Sequence, residues 1–320
     1  MKHFVTGGAG FIGSNYVRYV LNNTDDEVTV YDMLTYAGLL TTMSDFIDSP
    51  RVHFAYGDVC NKESLLVAMK GSDYVVHFAA ETHVDRSILL SDDFVRTNCT
   101  GTDSVMNVAH QLGVKRIVHI GTDEVYGSVE TGSSLETDPL EPRSPYSASK
   151  AGSDLIALSH FHTHGLPVSV TRCTNNFGPY QFPEKAIPLF ATNIFQNKKI
   201  PLYGDGLNER DWIDVFDHCA AVHRVLTHGE SGQIYNIGAG NGTSNIQLVD
   251  MILRYFEQDP KEWIEYVEDR KGHDRRYSVD VSKITALGWK PVHNIEDSLS
   301  HTIDWYRSNR WWWEPLKKAK

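Results

Sequence analysis

The chain has 320 residues, and a length of about 150 residues per domain predicts one large domain or a two-lobed unit. Hydrophobic residues make up 41% of the chain and aromatic residues 11%, which excludes disordered and collagen-like proteins. The 30 basic and 41 acidic residues give a net charge of −11 without a long basic run, so no nucleic-acid partner is expected. No apolar stretch approaches the roughly 20 residues of a membrane span, and no signal peptide is recognisable. We therefore expect a cytoplasmic protein that binds small molecules and does not bind a membrane.

Cysteine and histidine spacing predicts neither a metal site nor a disulfide framework. The cysteines are far apart and form no CxxC pair, so reduced thiols are expected at Cys60, Cys99, Cys173 and Cys219. Three histidines crowd the end of one predicted helix, at His160, His162 and His164. No carboxylate or cysteine neighbours them in the sequence, so solvated helix-end residues are favoured over metal ligands.

Short β-rich runs alternate with longer helix-patterned segments through the first half of the chain. The runs are apolar on both faces, as expected for parallel strands that helices cover on both sides. The segments between them have the length of right-handed crossover connections. In chain order, the predicted strands are residues 4–5, 28–31, 52–54, 74–78, 116–120 and 167–170. This pattern predicts an α/β fold with a Rossmann-like, doubly wound parallel sheet.

After about Thr174 the alternation becomes irregular, because several prolines divide the chain into loops and short elements. Here the predicted helices are residues 187–196, 217–227, 246–256 and 295–308, and the predicted strands are residues 200–203, 234–237 and 264–267. Ligands of open α/β sheets bind outside the carboxyl ends of the strands, where a smaller C-terminal α/β lobe can close over them. We expect a dinucleotide-binding domain at residues 1–174 and a substrate lobe at residues 175–320, with an approximate boundary that the chain can cross. The tryptophan-rich tail, residues 310–315, is expected to dock onto its own lobe.

A Gly-rich turn follows the first predicted strand and opens the first helix. Its glycines, Gly7, Gly10 and Gly13, are spaced GxxGxxG, a variant of the dinucleotide-binding GxGxxG pattern. Glycine permits a tight turn and a close approach of backbone to pyrophosphate, and the free N–H groups of the helix start attract phosphate oxygens. Asp32 lies about 20 residues further on, at the end of the second strand, where a carboxylate accepts hydrogen bonds from ribose hydroxyls. Because a carboxylate there repels a 2′-phosphate, the sequence predicts NAD rather than NADP.

Two groups of polar residues are candidates for acid–base chemistry. Tyr146 and Lys150 are four residues apart, so a helix would present both on one face, and a cation beside a phenol lowers the pKa of the phenol. Thr122, Asp123 and Glu124 follow the fifth predicted strand, at the mouth of the expected crevice. Two carboxyl groups in one cleft can differ in pKa, so that one acts as acid and the other as base, although a helix-capping turn is the alternative. Plain hydride transfer has no use for this extra acid–base pair.

Six further segments carry motifs, at residues 34–38, 79–87, 122–127, 172–179, 182–185 and 269–277. Together with the Gly-rich turn, Asp32 and the YxxxK pair, these segments resemble the dTDP-glucose 4,6-dehydratases of the extended short-chain dehydrogenase/reductase superfamily. The resemblance covers nearly the whole chain. The pair of Asp123 and Glu124 is its most diagnostic part, because sugar-nucleotide 4-epimerases of the superfamily usually lack this pair.

The resemblance implies a closed redox cycle on a nucleotide-linked hexose. Tyr146, held by Lys150 and Thr122, would take the proton of the C4 hydroxyl while the C4 hydride passes to NAD⁺. Glu124 would remove the C5 proton as Asp123 protonates the departing C6 hydroxyl. The hydride would then return to C6 of the resulting enone, with reprotonation at C5. The implied activity is the NAD-dependent conversion of dTDP-glucose to dTDP-4-keto-6-deoxyglucose and water.

The Gly-rich turn, the strand ends and the resemblance together nominate residues for each ligand. The cofactor positions are Gly7, Gly10, Phe11, Ile12, Gly13, Asp32, Thr35, Asp58, Val59, Phe78, Ala79, Ala80, Thr97, Tyr146, Lys150 and Asn176. Implied contacts with the sugar and its diphosphate are Thr82, Thr122, Asn175, Lys185 and Arg210, and implied contacts with the nucleotide are Pro201, Leu202, Tyr203, Asn245, Arg270 and His273. The resemblance also implies a homodimer, in which the helices after Asp93 and after Pro145 pack against a second subunit.

Three alternatives remain open from the sequence. The nucleotide loop departs from the family pattern at Lys271, where proline is common, so a UDP-sugar or an amino-sugar substrate is possible. A sugar-nucleotide 4-epimerase or decarboxylase would share the fold and cofactor but would not need Asp123 and Glu124. A non-catalytic NAD-binding partner protein would not need Tyr146 and Lys150 either.

Overall fold

The structure, a computed structural model, describes residues 1–269 and 273–318. In this part of the chain the strands are β1 Lys2–Thr6, β2 Glu27–Asp32, β3 Val52–Tyr56, β4 Tyr74–His77, β5 Arg116–Thr122, β6 Val168–Cys173, β7 Asn175–Phe177, β8 Ile200–Tyr203, β9 Glu209–Arg210, β10 Trp212–Asp214, β11 Ile234–Ile237, β12 Thr243–Ser244 and β13 Ile264–Val267. The α-helices are α1 Phe11–Asn23, α2 Lys62–Met69, α3 Val84–Leu89, α4 Ser91–Phe94, α5 Thr102–Leu112, α6 Pro145–His164, α7 Ala186–Phe195, α8 Val215–His228, α9 Asn245–Tyr255, α10 Pro260–Trp263, α11 Ser282–Ala286, α12 Ile295–Ser308 and α13 Arg310–Lys318. Short 3₁₀ turns form at Leu40–Met43 and Asp123–Tyr126, and a π-helical stretch, Val95–Gly101, joins α4 to α5.

A seven-stranded sheet forms the centre of the fold, in the order β11-β6-β5-β4-β1-β2-β3. All of its neighbouring strands are parallel. The strand order reverses between β1 and β4, and ligands of doubly wound sheets bind at such a switch point. The predicted Rossmann-like α/β fold is confirmed.

Apolar layers cover both faces of this sheet. Along β1, Val5 packs into the layer formed with α1 and α8, whereas Phe4 packs into the layer formed with α2, α5 and α6. Both side chains are completely buried. Successive residues of a strand point to opposite faces, so a strand covered on both sides favours apolar residues at successive positions. This burial explains why the strands of the first half read as continuous apolar runs.

After residue 174 the chain crosses between two regions of the fold. The strand β11 pairs with β6 in the main sheet, and α8 packs against α1. The remaining elements build a smaller layer around a separate apolar cluster, which α7, α9, α12 and β8 supply through Phe190, Ile252, Ile303 and Leu202. Within residues 1–269 and 273–318, no helix combines the length and the apolar character that crossing a bilayer would need.

A buried ion pair connects α6 to the carboxyl end of β6. Arg172 Nε donates to Asp154 Oδ2 at 2.9 Å, and the side chains of Arg172 and Asp154 are 2% and 0% exposed. Burial opposes ionisation of Asp154, but a hydrogen bond from His119 and the charge of Arg172 hold its pKa below the usual value. Arg172 Nη1 also donates to the hydroxyl of Tyr126 at 2.9 Å, and that hydroxyl donates to Asn236 Oδ1 on β11 at 2.8 Å. The network therefore joins α6, β6, β11 and the turn at Asp123–Tyr126.

Replacing Arg172 by Met should lower the free energy of unfolding by about 3–5 kcal/mol, because it leaves the Asp154 carboxylate buried without its cation. Denaturant unfolding near neutral pH measures this change. The matched control is Arg275→Met, which removes the exposed ion pair with Asp205 and should leave stability nearly unchanged. Equal stability of the two variants would show that the buried pair contributes nothing.

Candidate active site

An open cleft of about 320 Å³ runs along the carboxyl ends of the central strands. This volume lies within the roughly 300–1,000 Å³ of small-ligand pockets. Among the predicted cofactor residues, those that line it are Gly7, Gly10, Phe11, Ile12, Gly13, Asp32, Thr35, Val59, Phe78, Ala79, Ala80, Thr97, Tyr146, Lys150 and Asn176. Asp58 is not among the lining residues, and its carboxylate forms an ion pair with Arg96.

The Gly-rich turn brings its backbone into direct contact with the neighbouring strand end. Gly7 has a φ of +68°, and a Cβ there would lie 2.7 Å from the backbone nitrogen of Ala79. A Cβ on Gly13, in the first turn of α1, would overlap the carbonyl oxygen of Gly7. A side chain at Gly7 would therefore push the turn away from the end of β4, and one at Gly13 would push α1 away from the turn.

Asp32 holds this turn in place and also faces the cleft. Its Oδ2 accepts a hydrogen bond from the N–H of Ala9 at 3.0 Å, and its Oδ1 accepts one from the N–H of Leu34 at 2.8 Å. Burial raises the pKa of Asp32, and these two N–H groups act in the opposite direction. A carboxylate at this cleft wall, beside a glycine turn that closes on the strand end, fits the ribose and pyrophosphate of a dinucleotide.

Tyr146 and Lys150 lie on the first turns of α6. The start of this helix is fixed by a capping box between Ser144 and Ser147 and by Pro145 in its first turn. Both candidate side chains are buried, and Lys150 Nζ donates to the carbonyl oxygen of Ile120 at 2.5 Å.

In the protein by itself, the pKa of Tyr146 lies well above its usual value. Burial is the largest cause and the charge of Glu124 the next, while a hydrogen bond with Thr122 acts in the opposite direction. The expected shift of this pKa towards neutrality is therefore wrong for the protein by itself. Burial also lowers the pKa of Lys150, and its ammonium group is directed to the Ile120 carbonyl.

The two candidate carboxyl groups occupy a short turn at the end of β5. Thr122 caps this turn, because its Oγ1 accepts the N–H of Glu124 at 3.3 Å and donates to Asp123 Oδ1 at 3.3 Å. Asp123 is 3% exposed. Burial first, and then the charge of Glu124, raise the pKa of Asp123 well above its usual value, although Arg210 opposes the shift. The capping turn thus favours a protonated acid directly beside a second carboxyl group.

A second cavity of about 490 Å³ meets the first one at Glu124. Of the predicted substrate residues, those that line it are Thr82, Asn175, Lys185, Pro201, Leu202, Tyr203, Arg210, Asn245 and His273. Thr122 lines the first cavity, and Arg270 lies outside the described residues. Because Thr82, Asn175 and Lys185 line both cavities, a molecule in the second can reach a molecule in the first.

Sequence reasoning did not single out Tyr277, which lies in the second cavity. The guanidinium of Arg210 stacks over its ring at 4.2 Å, and its hydroxyl donates to Asp274 Oδ2 at 2.6 Å. Arg210 also donates to the carbonyl oxygen of Asp274 at 2.9 Å. Tyr277 belongs to a segment that carried the family resemblance. Its contact with Arg210 could not be predicted from that segment, because Arg210 lies in a different part of the chain.

Of the three helix-end histidines, His162 and His164 are exposed as expected, whereas His160 differs from the expectation that they are solvated. His160 is 7% exposed, and its Nε2 lies 3.1 Å from Asp103 Oδ1, because α5 packs beside α6. The ring of His164 stacks on that of His110 at 5.0 Å. Within residues 1–269 and 273–318, no three His, Cys, Asp or Glu side chains are grouped so that they could hold a metal ion.

The four cysteines form no disulfide, and burial raises the pKa of Cys173, in the cleft wall, to about 12.

Comparisons with known proteins agree with this geometry. A family model described as GDP-mannose 4,6 dehydratase matches residues 4–302. A dTDP-glucose 4,6-dehydratase of Streptomyces antibioticus is 51% identical over 327 residues, which cover 99% of this chain and 96% of that protein. The chain belongs to the dTDP-glucose 4,6-dehydratase family. A crystal structure of a DesIV double mutant, a dTDP-glucose 4,6-dehydratase from Streptomyces venezuelae with NAD bound, is 48% identical, has a TM-score of 0.97 and covers 99% of this chain and 100% of that chain.

The fold by itself does not separate this dehydratase family from epimerases. A UDP-glucose 4-epimerase from Thermotoga maritima, solved with UDP-glucose, has a TM-score of 0.90 at 27% identity and covers 97% of this chain and 100% of that chain. The assignment to the dehydratase family therefore rests on the higher sequence identity to dehydratases, and the acidic turn after β5 is consistent with it.

Asp123→Asn should change how stability depends on pH. A carboxyl whose pKa is raised by folding contributes stability while it is protonated, and this contribution is lost as the pH rises through the folded-state pKa. The melting temperature of the parent should therefore fall relative to that of the variant as pH increases from acid to neutral. Asp92→Asn, at an exposed carboxyl, is the control and should follow the parent. Parallel pH profiles for the parent and Asp123→Asn would contradict the assignment.

Proposed function

We propose that this chain is an NAD-dependent dehydratase that converts dTDP-glucose to dTDP-4-keto-6-deoxyglucose and water. The observation that carries the proposal is that two cavities meet at Glu124, while Asp123 and Tyr146 line the first of them. Oxidation at C4 needs one proton acceptor, and elimination across C5 and C6 needs a base and an acid. The relatives named above support dTDP-glucose as the substrate.

The dinucleotide cleft would hold NAD through the Gly-rich turn at its pyrophosphate and Asp32 at a ribose. When bound, NAD⁺ would supply a hydride acceptor for C4, a hydride donor for C6 in its reduced form and the positive charge of the oxidised nicotinamide ring. Asp32 favours NAD over NADP, because its carboxylate repels a 2′-phosphate. Gly7 and Gly13 leave the backbone N–H groups accessible to the phosphate oxygens.

Tyr146 is the proposed proton acceptor for the C4 hydroxyl, at its phenolic oxygen. Thr122 contributes a hydrogen bond that acts against the raised pKa of Tyr146. Lys150 adds a fixed cation, which its bond to the Ile120 carbonyl oxygen orients. This cation alone does not outweigh the burial of the phenol, so the phenolate is favoured only when further positive charge enters the cleft.

Asp123 and Glu124 are the proposed pair for the elimination. Oxidation of C4 to a ketone makes the C5 hydrogen acidic, and Glu124 would remove it. Asp123, which burial and the neighbouring charge of Glu124 keep protonated, would deliver its proton to the leaving C6 hydroxyl. The contrast between their environments supports opposite roles for two adjacent carboxyl groups.

The second cavity is the proposed site of the nucleotide sugar. Arg210 is buried and its guanidinium is oriented by two carbonyl oxygens, which suits it to a diphosphate. Lys185 adds a second cation where the two cavities join. The remaining predicted positions, which would hold the sugar and the nucleotide, are Thr82, Asn175, Pro201, Leu202, Tyr203, Asn245, Arg270 and His273.

We also propose the division into a dinucleotide domain at residues 1–174 and a substrate lobe at residues 175–320, with β11 and α8 crossing back. A cytoplasmic homodimer completes the proposal. Large apolar side chains exposed along the region from α3 to α6 support a subunit interface, and these are Ile88, Leu89, Leu90, Val95 and Leu155.

Hydrogen isotopes test the reaction without reference to any family. From dTDP-glucose deuterated at C4, in ordinary water, we expect a 4-keto product with deuterium in its C6 methyl group. Unlabelled substrate in D₂O should gain deuterium at C5. Mass spectrometry and NMR locate both labels. Retention of deuterium at C4 would indicate an epimerase, and reaction of a UDP-hexose alone would leave the mechanism intact and refute the substrate.

Tyr146→Phe and Glu124→Gln should fail at different stages. Tyr146→Phe should form no NADH in a single turnover, because the C4 hydroxyl loses its proton acceptor. Glu124→Gln should form NADH but release the 6-deoxy product roughly 10²–10⁴-fold more slowly. Glu130→Gln, at an exposed carboxyl, serves as the control and should turn over normally. Normal turnover by Glu124→Gln would remove Glu124 as the C5 base.

A further inference from the structure

The C-terminal helix α13 packs against two loops that line the dinucleotide cleft. The β2 loop comprises residues 33–43, and the β7 loop comprises residues 178–185; both contribute to the cleft wall. A helix of nine residues is too short to be stable alone, so packing determines where α13 lies. Trp312 and Trp313 are 3% and 0% exposed and form an apolar cluster with Tyr306 at the end of α12.

Trp312 connects α13 to the β2 loop. Its Nε1 donates to Thr42 Oγ1 at 3.2 Å, and the carbonyl oxygen of Thr42 accepts a hydrogen bond from Arg18 Nη2 at 2.5 Å. Leu39, in the same loop, packs against the tryptophan cluster. The N–H of Leu39 donates to the carbonyl oxygen of Ala9 at 3.1 Å, inside the Gly-rich turn. The helix is thus linked through the β2 loop to the proposed pyrophosphate site.

Trp312 also supports the β7 loop, through Tyr180. Tyr180 has a φ of +67°, a conformation that a non-glycine residue keeps only where its surroundings hold it. Its ring lies 4.5 Å from that of Trp305 and 5.5 Å from that of Trp312, with the guanidinium of Arg18 3.9 Å from its centre. These three neighbours hold the loop in an otherwise unfavourable backbone conformation.

The residues that follow Tyr180 form part of the cleft wall. The carbonyl oxygen of Gln181 accepts a hydrogen bond from the hydroxyl of Tyr306, and its Nε2 donates to the carbonyl oxygen of Asn176 at 2.9 Å. The ring of Phe182 meets the ring of Tyr36, from the β2 loop, edge-on at 5.4 Å. The two loops therefore touch each other at the cleft while both are fixed from behind by the aromatic cluster of α12 and α13.

We propose that Trp312 is a positioning residue that holds these two loops against the bound dinucleotide and thereby slows its dissociation. The inference rests on the proposed function in one respect, namely that the cleft binds NAD. Retention matters for that function, because a hydride taken from C4 has to be returned at C6 before the dinucleotide leaves. Loops held from behind by a packed helix lose less entropy when the ligand binds.

The test compares neighbouring tryptophans in the full-length protein. Trp312→Ala removes both loop contacts, Trp312→Phe keeps a ring and loses the hydrogen bond to Thr42, and Trp311→Ala alters a ring that is 53% exposed. Labelled NAD is bound to each protein and chased with excess unlabelled NAD to obtain the dissociation rate. Amide hydrogen exchange of the β2 and β7 loops is measured on the same samples.

We expect Trp312→Ala to release NAD at least about tenfold faster than the parent, Trp312→Phe to show a smaller increase, and Trp311→Ala to match the parent. Faster amide exchange in Trp312→Ala should be confined to the two loops. Should Trp312→Ala fail to fold, Thr42→Val removes the hydrogen-bond acceptor while leaving the helix intact, and a rate about threefold faster is expected.

Three results would overturn the inference. The first is a parent-like NAD dissociation rate in the folded Trp312→Ala or Thr42→Val protein. The second is an equal increase of this rate in Trp311→Ala. The third is faster amide exchange throughout the seven-stranded sheet, which would indicate a general loss of stability. The parent is measured first, because a parent chain that binds no NAD would refute the proposed function, whereas a parent that binds NAD with unchanged variant rates refutes only the role of Trp312.

Discussion

Two carboxyl groups must share one poorly solvated turn, and the arrangement of the active site depends on this electrostatic constraint. Ionising both Asp123 and Glu124 is unfavourable so close together, and burial adds to the cost for Asp123. Thr122 fixes the turn from one side, and the charge of Arg210 acts from the other. The carboxyl end of a central parallel strand supplies the rigid support that this arrangement needs, since β5 has hydrogen-bonded neighbours on both sides.

Much of the fold could be predicted because its longer elements have local signals, whereas the short strands β7, β9, β10 and β12 were not predicted. The strands at residues 200–203, 234–237 and 264–267 and the helix at residues 295–308 have the predicted boundaries. What the pattern could not reveal is which strand pairs with which. Residues 234–237 were predicted as a strand of the smaller lobe, yet β11 joins the main sheet beside β6, because an apolar run of four residues looks the same in either sheet.

Part of the candidate site could be predicted from local sequence, and the rest depends on tertiary contacts. The Gly-rich turn and Asp32 could be recognised from spacing, because one turn and two strand ends determine their geometry. The direction in which the pKa of Tyr146 shifts could not be predicted, because it depends on burial and on carboxyl groups contributed by another element. The burial of His160 against Asp103 was also missed, since it results from the packing of two helices. Residues from distant parts of the chain line the second cavity, so they were predicted only from the family resemblance.

The position of β11 has a consequence for the order of folding. The edge strand that completes the central sheet is formed by residues 234–237, after the chain has already supplied β8, β9 and β10 to the smaller region. Its partner β6 ends some sixty residues earlier, so this pairing closes a long loop and is intrinsically slow to form. During synthesis, β6 leaves the ribosome well before β11 exists to pair with it. The sheet therefore has a temporarily open edge, which the nascent chain must protect from pairing with other strands until the later segment arrives.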